Sequence, residues 1–141
     1  MKSNIKENLN EDKIIQIQGY LDELESIFPF DFEEYKRDFK IRAISERLFE
    51  KIVEAVVDLA FIIIKERKLK IPEDDESSFF ILKENNIISL VLAKKLKDAK
   101  GMRNIIAHEY GKIDDGKVFH AVSEELIPDV REFIKGIREL R

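Results

Sequence analysis

Phe32-Glu33-Glu34-Tyr35-Lys36-Arg37-Asp38-Phe39, continuing through Lys40-Ile41-Arg42-Ala43-Ile44-Ser45-Glu46-Arg47-Leu48 to Phe61-Ile62-Ile63-Ile64-Lys65, is the stretch from which the fold is read. Apolar residues recur at 32, 35, 39, 43, 48, 52, 55, 56, 59, 60 and 63, the spacing of one helical face, and neither Gly nor Pro interrupts them. The pattern predicts one helix of roughly 30 residues, about 45–50 Å long. Its second half is apolar almost all round, through Val53, Val56, Val57, Phe61, Ile62 and Ile64. Such a helix is either central to a bundle or partly inside a subunit interface. A buried strand over Phe61–Ile64 is the competing reading, but no turn signal precedes it.

On the N-terminal side, Leu9, Ile14, Ile17, Leu21, Leu24 and Ile27 trace a first helix, stopped by Phe28-Pro29-Phe30. Residues 1–10 are polar and are expected to be a flexible tail, with residues 11–141 forming a single domain. Asp31 is a natural N-cap for the long helix. On the C-terminal side, Glu66–Glu76 is charged, contains Pro72 and reads as a loop. Ser77 is expected to cap a short helix over Phe79–Leu82, ended by Asn85-Asn86. Ser89 caps a further helix with Leu90, Val91, Ala93, Leu96 and Ala99 on its buried side, continuing through Gly101, which implies close packing or a kink there. Gly111 suits the position just past a helix end. Asp114 or Asp115 caps a last helix carrying Val118, Phe119, Val122, Leu126, Ile127, Val130, Phe133, Ile134, Ile137 and Leu140, which Pro128 should kink or break. The expected architecture is all-α, an up-and-down bundle of four long helices and one short one.

Composition narrows the chemistry. The 141 residues include no Cys and only two His, which removes disulfides and thiolate sites and makes a His-rich metal centre implausible. No metal or cofactor is expected. The formal net charge is −4, so any nucleic-acid contact must rest on a local basic patch. The N-terminus lacks the apolar core of a signal peptide, and the longest apolar run is too short to span a membrane, so a cytoplasmic protein is expected.

The residues able to do chemistry concentrate in Arg103-Asn104-Ile105-Ile106-Ala107-His108-Glu109-Tyr110. Asn104 and His108 lie one turn apart, about 40° in projection, and share a face. Arg103 and His108 are about 140° apart, so they meet only if the long Arg side chain swings toward the ring. A guanidinium forks onto phosphate oxygens, and an imidazole exchanges protons near neutrality. Together they suit phosphodiester cleavage in RNA, where the 2′-OH is an internal nucleophile and no metal is needed. One His is thin for both acid and base, and a homodimer apposing two copies would supply the second. The plainer reading keeps His108 as a structural helix residue and Lys94, Lys95, Lys97 and Lys100 as a solvated face rather than an RNA-contacting flank. Arg42 and Arg47 read as exposed charges, and His120 as a half-buried packing residue.

The pattern Arg103-Asn104-x-x-x-His108-x-Tyr110-x-x-Ile113-Asp114 resembles the signature of the HEPN superfamily in its HepT-like branch. The runs Arg42–Leu48 and Glu54–Ala60 resemble that branch's long second helix, so the likeness covers about residues 10–140. The resemblance implies a homodimeric helical bundle with the motif at the dimer cleft, acting as a metal-independent endoribonuclease toxin. It implies Arg103, His108 and Asn104 as catalytic residues. It also implies an MntA-like nucleotidyltransferase antitoxin that transfers AMP from ATP onto Tyr110. Two alternatives belong to other classes: a non-catalytic adaptor that binds a nucleotidyltransferase or nucleotide, and a purely structural helical dimer resting on the apolar stretch Val53–Ile64.

Overall fold

The computed structural model describes the backbone over residues 2–140 and the side chains over 9–109 and 111–140. The described residues form no strand. The helices are α1 (Lys2–Ile27), α2 (Phe32–Arg37), α3 (Phe39–Glu66), α4 (Asp75–Glu84), α5 (Leu90–His108), α6 (Asp115–His120) and α7 (Ile127–Arg138). A 3₁₀ turn over Tyr110–Lys112 follows α5, and a wide π turn over Ala121–Leu126 joins α6 to α7.

α3 is the axis of the bundle. Ile52, Leu59 and Ala60 are completely buried, and Val53, Val56, Val57, Ile63 and Ile64 nearly so. A helix apolar on so many sides must be covered by several neighbours. α1 lies along it through Ile14, Ile17, Leu21 and Leu24, and α2, α4 and α5 pack around the remainder. The apolar stretch is thus satisfied within one chain, which removes the observation behind a purely structural dimer. Phe79 of α4 and Phe133 of α7 meet edge-on at 6.5 Å. At the opposite end Phe28, Phe32, Tyr35 and Phe119 form an aromatic cluster with centroids 5.2–5.7 Å apart.

Several boundaries differ from the sequence expectation, each for a local reason. The backbone of the first helix is continuous from Lys2, and among the described side chains Ile14 is the first buried one. The expected 30-residue helix is two. Asp38 adopts an extended conformation and its carboxylate accepts from the amides of Lys40 and Ile41 at 3.0 and 3.2 Å, starting α3 anew. Arg42 then reaches back to the carbonyls of Lys36 and Tyr35 and lies 3.7 Å from Asp115, so it is a half-buried tie rather than a free surface charge. Arg47 is exposed as expected and pairs with Glu50. Asp74, not Ser77, caps α4: its carboxylate accepts from both the amide and the hydroxyl of Ser77. Asp31, Ser89 and Asp114 cap α2, α5 and α6 as read from the sequence.

Gly101 neither kinks nor packs closely; α5 runs through it and a Cβ there would meet nothing within 4 Å. Gly111 sits inside the 3₁₀ turn without a positive φ, because α5 already ends at His108. Pro128 does disturb the last helix. The widened turn before it relieves the carbonyls that a proline cannot serve as donor, and Pro128 itself falls in the first turn of α7. Gly136 is the glycine that packing demands: a Cβ would lie 3.1 Å from the Ile87 carbonyl oxygen, which sets how closely α7 approaches the α4–α5 connection. No described helix is long and apolar enough to cross a membrane.

Because Asp38 alone restarts the chain as α3, Asp38→Ala should lower the unfolding free energy by about 1 kcal/mol without changing the bundle. Chemical denaturation followed by circular dichroism measures this; an unchanged midpoint would mean that the cap contributes nothing.

Candidate functional site

α5 is capped by Ser89, whose Oγ accepts from the Leu92 amide at 3.0 Å, and it is held against α3 by Leu92, Ala93, Leu96 and Ile106. That anchoring sets the direction of every polar residue on its second half. Arg103 is turned toward α3, where its Nη2 forms a direct ion pair with Glu54 Oε1. Its Nη1 lies 3.5 Å from Asn104 Oδ1, and its Nε is buried with no partner among the described residues. Lys100, almost buried, donates to the same Asn104 oxygen at 2.8 Å and pairs with Asp75 at the start of α4 at 3.5 Å. Asn104 therefore spends its carbonyl on two cations, and its amide NH₂ has no partner among the described residues.

A cleft of about 420 Å³ opens over this network, lined by Glu54, Val57, Asp58, Phe61, Asp75, Lys100 and Arg103. Three carboxylates and two cations share it, so both cations are already engaged by carboxylates of this chain. A polyanion entering here must displace Glu54 from Arg103 to gain the fork.

His108 occupies the last turn of α5, exposed and without a hydrogen-bond partner among the described residues. Helical spacing places it on the same side as Asn104. The side chain of Tyr110 lies outside the described residues; its backbone opens the 3₁₀ turn two residues beyond His108. The four lysines do not share one flank. Lys95 faces the opposite side of α5, 3.6 Å from Asp129, and Lys100 is turned into the Asp75–Asn104 network. Lys97 borders the α3–α4 loop, and Lys94 is exposed. At 100° per residue, positions 94, 95, 97 and 100 spread around more than half of the helix. His120 is exposed rather than half-buried, and its Nε2 lies 3.1 Å from Glu125.

Glu54 and Asp75 are the site residues that the motif alone does not reveal. A signal for Glu54 exists: with Asp58 it interrupts an otherwise apolar helix at a spacing of four, and carboxylates there need partners. Glu54 takes Arg103 of α5, and Asp58 takes Lys13 of α1 at 3.4 Å.

The fold is that of the HEPN-type helical bundles. It superimposes with a TM-score of 0.87 on a structure described as a tri-AMPylated Shewanella oneidensis HEPN toxin in complex with an MNT antitoxin, at 28% identity over 94% of this chain and 98% of the other. A family model described as "Ribonuclease HepT-like" matches residues 17–137. Similar proteins include an "mRNA nuclease HepT" of Shewanella oneidensis, 30% identical over 126 residues covering 89% of this chain and 93% of that protein. A "tRNA nuclease HepT" of Aphanizomenon flos-aquae is 31% identical over 121 residues, 86% of this chain and 82% of that protein. The chain belongs to the ribonuclease HepT-like family.

Since Glu54 is half-exposed, Glu54→Gln should change stability by no more than about 1 kcal/mol. It should nevertheless release the guanidinium: the Arg103 Nε–H, slow to exchange with solvent in the parent protein, should exchange markedly faster in the variant. Unchanged exchange by NMR would show that Glu54 does not hold Arg103.

Proposed function

We propose that the protein is a metal-independent endoribonuclease acting as the toxin of a toxin–antitoxin pair. The observation that carries this reading is the end of α5. It presents an Arg with a buried, unpartnered Nε, an Asn with a free amide and an exposed His within six residues, in a chain whose relatives bear nuclease names.

Arg103, once released from Glu54, forks onto the two non-bridging oxygens of the scissile phosphate and offsets the charge that builds up as it becomes five-coordinate. Asn104 donates its amide to the same phosphate or to the ring of His108. His108 takes the proton of the 2′-OH, whose oxygen attacks phosphorus. The 5′-oxygen leaves with a proton from a second imidazole, giving a 2′,3′-cyclic phosphate and a 5′-hydroxyl. Lys97 and Lys94, on the outward side of α5, are the better placed of the four lysines to touch flanking phosphates.

A second imidazole requires a second copy. Gly101, Ile105 and His108 follow one another along the outward stripe of α5; Ile105 is exposed, and Gly101 leaves open space. A mid-helix glycine costs about 1 kcal/mol against alanine, and nothing inside the chain accounts for it. Close approach of another α5 would account for it and bring two His108 rings into one cleft. The working assembly on this reading is a cytoplasmic homodimer.

Control falls on Tyr110. An MntA-like nucleotidyltransferase would join the Tyr110 oxygen to the α-phosphate of ATP, releasing pyrophosphate and the phenolic proton. The added phosphate would sit beside Arg103 and His108 and exclude the RNA backbone by charge and bulk. The adaptor reading retains one observation in its favour, namely that Arg103 is already paired with Glu54. An adaptor would bind the nucleotidyltransferase without turning over RNA.

Purified, unmodified protein in chelator should cleave RNA to cyclic phosphate ends, and His108→Ala should lower the rate about a hundredfold or more while the fold is retained. A folded parent protein that leaves RNA intact would favour the adaptor. Sedimentation at micromolar concentration should give a dimer, and Gly101→Leu, which fills the outward stripe, should give monomer with an unchanged helical spectrum; a monomeric parent protein would end the two-imidazole mechanism.

A further inference from the structure

On the side of α5 away from Arg103 and Asn104, a second cavity of about 420 Å³ lies between α5, α3 and the widened turn of the C-terminal helix. Its floor is apolar and deep: Phe49, Leu96 and Leu126 belong to the buried core, and Ala99 and Met102 complete it. Carboxylates outnumber cations at its wall, with Asp98, Asp114, Glu125 and Asp129 against Lys95, Lys117 and the imidazole of His120.

These charges are not equivalent. Asp114 is occupied as the cap of α6, accepting from the Lys117 amide, and Glu125 is paired with His120. Asp98 has no partner among the described residues. Asp129 is the one carboxylate drawn into the interior, only 9% exposed, and its one neighbour of opposite charge is Lys95 at 3.6 Å, beyond a good hydrogen bond. Burial raises its pKa, more than Lys95 lowers it. A carboxylate this buried, set over an apolar floor and partnered by a single half-exposed lysine, has acceptor capacity left for a further donor. The wall that exposes it exists because Pro128 forces the preceding turn open, and widened turns of this kind recur at binding sites.

We propose that this cavity is a second ligand site, separate from the Arg103–His108 site, for a small amphipathic organic cation: an apolar, ring-sized body lying on Phe49, Leu96, Ala99, Met102 and Leu126, with its ammonium paired to Asp129 and Asp98. The volume falls in the range of small-molecule sites. The excess of carboxylate selects a cation over an anion, and the closed floor selects a compact body over a polymer. The assignment does not depend on nuclease activity.

The probe is phenethylammonium, titrated into the full-length protein and followed by NMR, with 2-phenylethanol and 3-phenylpropionate as the neutral and anionic counterparts. Saturable shifts at Ala99, Met102 and Leu126 are expected for the amine, at least tenfold weaker binding of the alcohol, and none of the acid. Asp129→Asn should weaken the amine at least tenfold and abolish its advantage over the alcohol. Ala99→Leu, which fills the floor while keeping a good helix former, should block both the amine and the alcohol. Equal binding of amine and alcohol, indifference to Asp129→Asn, or no saturable shift would overturn the proposal. So would shifts at these residues that follow protein concentration instead of amine, which would make the groove an interface between copies of the chain.

Discussion

α3 has to be covered on nearly every side, and the rest of the molecule follows from that constraint. Leu59, Ala60 and Ile52 admit no solvent, so α1, α4 and α5 are wrapped around α3 at fixed angles rather than laid in an open sheet of helices. In the middle of α3 the strip bearing Glu54 and Asp58 remains open. Two half-exposed carboxylates on the apolar second half of α3 each meet a cation from a flanking helix: Lys13 from α1 and Arg103 from α5. The candidate site is therefore located by the same element that organises the core. The apolar face of α5 turns Arg103 toward α3, and Glu54 is the carboxylate it meets there.

The helices and their faces were legible because a period of 3.6 is written into the side chains that bury. Ile14, Ile17, Leu21 and Leu24 are the buried line of α1, and Val118, Val122, Val130, Phe133 and Ile137 that of the C-terminal segment. What periodicity does not carry is the point at which one helix ends and another begins along the same line. Asp38 interrupts no apolar repeat, since Tyr35 and Phe39 keep their spacing across it, and only the carboxylate's bonds to two amides turn the residue into a cap. The choice of Asp74 over Ser77 has the same origin: both are good caps, and the ionised acceptor wins while the hydroxyl becomes its donor.

The site was legible in part for a related reason. Arg103, Asn104 and His108 are neighbours in sequence, so their grouping is local and visible. Glu54 and Asp75 come from 49 and 25 residues before Arg103 and Lys100 respectively, and their pairings are tertiary. The spread of the lysines shows the converse error. Proximity in sequence suggests one basic flank, but a rotation of 100° per residue sends Lys95 toward Asp129 and Lys100 toward Asp75. Lys94 and Lys97, one turn apart, stay on neighbouring positions of the outward side, and the other two turn away from it.

On the proposed reading, the Glu54–Arg103 pair would unite activity and its control in one electrostatic problem. A guanidinium with a buried Nε has one exposed edge, and several anions compete for it. Glu54 holds it in the free chain at little energetic advantage, because the pair is half open to water. An RNA phosphate brings a fork of two oxygens together with contacts along the strand, and on that ground it can displace a single carboxylate. A phosphate attached covalently at Tyr110 needs no strand contacts, because its local concentration is set by the chain itself. If modification at Tyr110 silences the site as proposed, it would require no change of fold, only an anion that competes with Glu54 for Arg103.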